Sequence, residues 1–169
     1  MAQLTAEHMP IPTLRVGIDL VRVADVASSI ERFGDRYVER VFTSEERSYC
    51  NADGTRSAER FAARFAAKEA TLKVLRPSAH EGVDLRSIEV RHLGEGACEI
   101  VLYDAALELA RRAGVVELSL SMSHEHEYAT AMIVARLMAL PVADIPRRWT
   151  VIHSDPRMGS RHAQTSWDA

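Results

Sequence analysis

Leu14 to Val21 alternates strictly between two sets of residues. Leu14, Val16, Ile18 and Leu20 fall on one face of an extended strand; Arg15, Gly17, Asp19 and Val21 fall on the other. The pattern predicts a half-buried strand whose second face carries a carboxylate. Residues 22–33 switch to a helical period, with Val23, Val26, Ala27 and Ile30 as the apolar stripe. Arg36 to Arg40 stays in helical register. Thr43, with Glu46 three residues on, reads as a capping box that opens another helix. After a turn-rich loop at 51–56, Ser57 to Leu75 is rich in alanine and free of Gly and Pro, and Pro77 lies just beyond it. This long helix is expected to bury Phe61, Phe65 and Leu72.

The second half changes period again. Ile88–Leu93 and Cys98–Tyr103 read as strands joined by the turn Gly94-Glu95-Gly96. Asp104 is expected to N-cap a helix that Gly114 closes. Val115–Met122 and Tyr128–Arg136 read as two more strands, joined by the polar loop Ser123-His124-Glu125-His126-Glu127. The expectation is an α+β domain over 14–136, one long helix packed on a small, mostly antiparallel sheet. Residues 1–13, with Met9-Pro10-Ile11-Pro12, read as a loose N-terminal arm. Residues 137–169 read as a partly ordered basic extension, in which Arg147, Arg148, Arg157 and Arg161 outnumber Asp144, Asp155 and Asp168.

Composition narrows the function classes. At 169 residues, 47% apolar and 27% charged, the chain suits one ordinary folded domain. No apolar run approaches the ~20 residues of a spanning helix, so no membrane partner is expected. A net charge of −3 argues against wrapping nucleic acid. Two cysteines make no disulfide framework, and the N-terminus has no secretory pattern, so the expected compartment is the cytoplasm. Lysine is scarce: Lys68 and Lys73 are the two lysines among 21 basic residues, and both lie on the long helix. Arginine holds its proton at any workable pH, whereas a tuned lysine can release it, so the pairing hints at a site.

Four polar residues stand out. Asp19 lies in an apolar strand, and either faces solvent or binds a cation. Glu69 and Lys73, four apart, share one helix face. They form either an ordinary surface ion pair or a Mg²⁺ ligand beside a phosphate-binding ammonium. His124 opens the hairpin loop, as a phosphate contact or, with His126, as half of a transition-metal site. The chain has no G-x-G-x-x-G, no Walker loop and no G-x-S-x-G elbow.

Three blocks together resemble the holo-acyl carrier protein synthases, the small trimeric class of 4′-phosphopantetheinyl transferases. They are Val16-Gly17-Ile18-Asp19-Leu20-Val21; Arg64-Phe65-Ala66-Ala67-Lys68-Glu69-Ala70 with Lys73 following; and Ser121-Met122-Ser123-His124 leading into Tyr128-Ala129-Thr130-Ala131. The resemblance implies the 4′-phosphopantetheinyl transferase fold and a homotrimer. It implies transfer of the 4′-phosphopantetheine arm of coenzyme A to a serine of an apo acyl carrier protein, with release of adenosine 3′,5′-bisphosphate. Carried over, Asp19 and Glu69 would bind Mg²⁺, and Lys73 would contact phosphate. Arg64, Lys68 and His124 would contact coenzyme A. Arg22, Arg32, Arg36 and Arg40 would meet the acidic carrier protein, although interleaved acids also suit a solvated helix face. The alternative is a non-catalytic carrier-protein or coenzyme A binding module of the same fold. The family's Gly-rich turn after Lys73 is here Val74-Leu75-Arg76-Pro77-Ser78, and Asp104 replaces a family glycine.

Overall fold

The computed structural model describes residues 13–52 and 54–138; the expected arm before Thr13 and the extension beyond Met138 lie outside them. Strand β1 (Thr13–Arg22) leads through helix α1 (Val23–Phe33) and α2 (Asp35–Val41) to α3 (Ser44–Asn51). The long α4 (Ser57–Leu75) follows, then the hairpin β2 (Ile88–Gly94) and β3 (Ala97–Leu102). Helix α5 (Asp104–Arg112) precedes the second hairpin, β4 (Val115–His124) and β5 (Tyr128–Leu137).

Pairing is antiparallel throughout, in two sheets rather than one. The larger has the order β1-β5-β4 and the smaller is the β2-β3 hairpin. Helix α4 lies between them. Its alanines pack with Ile88, Val90 and Ile100 of the hairpin and with Ala131, Ile133 and Ala135 of β5. Its N-terminal half, through Phe61, closes a second core with α1, α2 and Phe42. The result is the expected α+β fold, with the long helix as its axis.

Local chemistry accounts for most boundaries. The capping box is present: Thr43 N donates to Glu46 Oε2 at 2.9 Å, and Glu46 N donates to Thr43 Oγ1 at 3.3 Å. The hairpin turn takes φ of 98° at Gly94 and 80° at Gly96, which glycine adopts without penalty. Asp104 differs from expectation. It is the first helical residue, Tyr103 takes the cap position, and no side chain caps the helix. Its φ is +42°, a left-handed conformation that glycine adopts more readily. Arg76 likewise takes a left-handed conformation, φ +53°, to end α4.

Strand β1 presents its faces the opposite way from a strand with a buried apolar side. Leu14, Val16, Ile18 and Leu20 are 66%, 57%, 60% and 65% exposed. The other face meets α4. Gly17 makes the approach: a Cβ there would lie 2.1 Å from the Ala70 carbonyl oxygen. Arg15 donates from Nη1 to the Val74 carbonyl at 2.6 Å along the same seam. Helix α4 is itself covered nearly all round. Phe61 is buried as expected, but Phe65 and Leu72 are only half-buried, and Ala62, Ala63, Ala66, Ala67 and Ala70 form most of the buried surface.

Candidate active site

The seam between β1 and α4 brings three of the expected residues together. Lys73 Nζ donates to Asp19 Oδ1 at 2.7 Å and to the Ile18 carbonyl at 2.6 Å. The Asp19 side chain is 18% exposed and that of Lys73 is 52% exposed, so the ammonium stands at the mouth of the seam. Thr130 Oγ1, on β5, donates to the Asp19 carbonyl at 2.9 Å and fixes the strand backbone there. Glu69 lies beside this pair. Burial raises its carboxyl above the usual range, the neighbouring Asp19 charge raises it further, and Lys73 opposes both. The seam therefore concentrates two carboxylates and one ammonium. Lys73 pairs across to the strand, so it is more than a helix-surface partner for Glu69.

The other expected residues sit elsewhere. His124 Nδ1 lies 3.2 Å from Glu59 Oε2, and His126 Nδ1 lies 3.3 Å from Glu59 Oε1, at the N-terminal end of α4. Glu59 and Glu69 are ten residues apart, roughly 15 Å along the helix. Among the described residues no group of three or more His, Cys, Asp or Glu side chains is arranged to hold a metal ion. Arg64 is buried and lies over the Tyr49 ring at 4.2 Å. Its Nη1 reaches the Arg60 carbonyl at 3.4 Å, while Nε and Nη2 are buried without a hydrogen-bond partner. Arg22, at the end of β1, and Arg32, Arg36 and Arg40, on α1 and α2, are all exposed, with Arg32 over the Phe33 ring at 5.0 Å.

Lys68 sits apart from the seam. It was expected to reach coenzyme A, but it is fully buried and paired with Glu46 at 2.8 Å. Its ammonium also donates to the Leu85 carbonyl at 2.9 Å and to the Ile88 carbonyl. Three acceptors use its three protons, so none is left for a phosphate. Burial pushes its pKa down, and Glu46 holds it up against that.

A family model described as the 4′-phosphopantetheinyl transferase superfamily matches residues 15–133. The chain belongs to that superfamily. Its relatives include the holo-[acyl-carrier-protein] synthase of Koribacter versatilis, 40% identical over 121 residues that span 72% of this chain and 96% of the relative. The synthase of Gloeobacter violaceus is 40% identical over 119 residues, 70% of this chain and 89% of its own. The fold agrees. The ACPS–CoA complex of Chronobacterium ammoniagenes superposes with a TM-score of 0.67 at 33% identity, covering 75% of this chain and 98% of that one. The Helicobacter pylori synthase in complex with coenzyme A gives a TM-score of 0.60 at 27% identity, covering 72% and 99%. The chain is thus an enzyme of the holo-[acyl-carrier-protein] synthase family, as its three sequence blocks implied.

Three features of this synthase fold escaped the sequence reading. Glu46 was read as a capping residue alone, and its burial against Lys68 was not foreseen. Glu59 gathers both histidines. Gly17 is the point of contact between strand and helix. A signal existed for the last: a lone glycine inside a strand often marks close backbone approach. No comparable local signal marks Glu46 or Glu59, whose partners lie far along the chain. Cys50 is fully buried, and burial pushes its thiol up to about 12, which disfavours the thiolate a nucleophile needs.

Proposed function

We propose that this chain transfers 4′-phosphopantetheine from coenzyme A to a serine hydroxyl of an apo acyl carrier protein, with Mg²⁺, releasing adenosine 3′,5′-bisphosphate. The observation that carries the reading is the Asp19–Lys73 contact beside Glu69, in a chain related to synthases solved with coenzyme A. In the reaction the serine oxygen forms a bond to the arm's phosphorus as the pyrophosphate bond breaks. The serine proton passes to solvent water, and the departing bisphosphate takes the electron pair of the broken P–O bond.

The residues present fit Mg²⁺. The ion commonly takes one or two carboxylates from a protein and completes its shell with substrate phosphates and water. Asp19 and Glu69 are two crowded carboxylates, and that crowding is what a cation relieves. They would hold the ion, which when bound neutralises charge building on the pyrophosphate oxygens. Lys73, half-exposed at the seam mouth, is placed to contact a phosphate oxygen with an N–H that Asp19 and Ile18 do not use. Gly17 holds the strand against α4 so that Asp19 stays opposite Glu69.

A homotrimer fits the outward face of β1. Its four exposed aliphatic side chains, with Met132 of β5 at 41% exposure, make an apolar stripe of the kind that marks an interface. Assembly would let His124 of one subunit approach the Asp19–Glu69 edge of its neighbour, since within one chain Glu59 holds it at the far end of α4. Arg64, deeper in the fold with two unpartnered guanidinium nitrogens, is assigned to the coenzyme A side. Exposed Arg22, Arg32, Arg36 and Arg40 are assigned to the acidic carrier. No helix among the described residues is long and apolar enough to cross a membrane. Free Cys50 and Cys98 suit a reducing cytoplasm.

The test is intact-protein mass spectrometry of apo carrier proteins incubated with this protein, coenzyme A and Mg²⁺. A mass gain of one phosphopantetheine arm, lost with chelator, supports the reading. No gain on any carrier, with coenzyme A still bound, would favour the non-catalytic module.

A further inference from the structure

Helix α4 carries no fully buried large apolar side chain along its middle, where Phe65 and Leu72 are half-buried at the core edges. Between Phe61 and Val74 its buried apolar positions are all alanine, at 62, 63, 66, 67 and 70. Small methyl ridges fill space but do little to key a helix's rotation about its own axis. The long buried side chains of that stretch are Arg64 and Lys68. Arg64 has its guanidinium carbon 4.2 Å from the centre of the Tyr49 ring, a contact with a ring face rather than with directed acceptors.

Lys68 is held by direction as well as by space. Its ammonium donates to Glu46 Oε2 and to the carbonyls of Leu85 and Ile88. Glu46 in turn accepts from Thr43 N and Val90 N, both at 2.9 Å. Both side chains are fully buried. These charge-assisted bonds tie one residue of α4 to the start of α3, to β2 and to the turn at Leu85. Burying a pair of charges is a poor route to stability, because desolvation offsets the attraction. What the arrangement provides is orientation.

Glu69 is the next residue, about 100° round the helix, beside Asp19. With a side-chain radius of roughly 5–6 Å, a 20° rotation of α4 would shift the Glu69 carboxylate by about 2 Å. Mg²⁺ asks for oxygens near 2.0–2.1 Å in a strict octahedron, so a shift of that size would spoil the pair as ligands.

We propose that Glu46 is a positioning residue of the metal-binding edge: acting through Lys68, it sets the rotation of α4 that places Glu69 against Asp19. Glu46 touches neither substrate nor metal. The inference rests on the reading of Asp19 and Glu69 as metal ligands.

The test measures Mn²⁺ binding by isothermal titration in the presence of coenzyme A, independently of transfer. It compares the native chain, Glu69→Gln, and Glu46→Met combined with Lys68→Met. Removing both charges together leaves no unpaired buried ion but frees the Thr43 and Val90 N–H groups and the Leu85 and Ile88 carbonyls, so the double variant is expected to melt cooperatively below the native temperature and is measured below that midpoint. Its Mn²⁺ affinity is expected to fall by about 10- to 100-fold, the range for residues that orient a metal ligand. Its KM for the carrier protein should stay native. Glu46→Gln, measured well below its own melting temperature, should show the same loss. Native Mn²⁺ affinity in the folded Met pair overturns the inference. Native affinity in Glu69→Gln instead overturns the metal assignment on which it rests.

Discussion

The two long sides of α4 use the same residue types for opposite ends. Facing α3 and β2, Lys68 and Glu46 form an ion pair with no exposure on either side chain. Facing β1, Lys73 and Asp19 form one of nearly the same length, 2.7 against 2.8 Å, with Lys73 half-exposed. The difference lies in what is satisfied. Lys68 has three acceptors and Glu46 has three donors, so the pair is closed and inert. At the seam, Glu69 adds a second carboxylate that one ammonium cannot neutralise; burial first, and the Asp19 charge second, raise its carboxyl. A closed pair holds a fold in register; an open, unbalanced set has capacity for a ligand.

Breaking the closed side should cost stability most. Glu46→Gln leaves the Lys68 charge buried without its partner, and should destabilise the chain by about 3–5 kcal/mol in denaturant unfolding. Breaking the open side should cost activity at little cost to the fold. Lys73→Met should lower kcat by ~10²–10³-fold, the scale for losing one donor to developing charge, with an unfolding midpoint close to native. The spacing between strand and helix comes next. Gly17→Ala puts a methyl into the Ala70 carbonyl, and should cost ~1–3 kcal/mol in stability as the seam opens, with a parallel rise in the Mg²⁺ needed for half-maximal transfer. The smallest effect has the opposite sign. Arg76→Gly removes a side chain from a left-handed position and from beside Arg15, and should stabilise the chain by about 0.5–1 kcal/mol in the same unfolding assay.

The same contrast shows what the sequence could and could not reveal. Alanine content and Pro77 marked α4 to the residue, and Thr43 with Glu46 marked the start of α3, because those signals are local. Alternation in β1 showed which residues share a face. It could not show which face is covered, since that depends on where a helix about 50 residues later comes to lie. Scarcity of lysine pointed to α4, yet it could not separate Lys68 from Lys73. Their roles follow from partners at positions 46 and 19, brought close by tertiary packing alone. The exception to local legibility was Asp104, a good capping residue that the chain uses at a positive φ instead.

The most direct test of the open side is Glu69→Gln, read by carrier mass and by melting together. In the folded protein the Glu69 carboxyl sits above its unfolded value, so its charged form costs stability once pH rises through that range. Near neutral pH, without metal, the neutral amide should therefore melt at the native temperature or slightly above it. In the same preparation, the phosphopantetheine mass gain on the carrier should fall by at least about a thousandfold in rate, several kcal/mol of lost transition-state stabilisation. A Glu69→Gln protein that transfers the arm at the native rate would contradict the account.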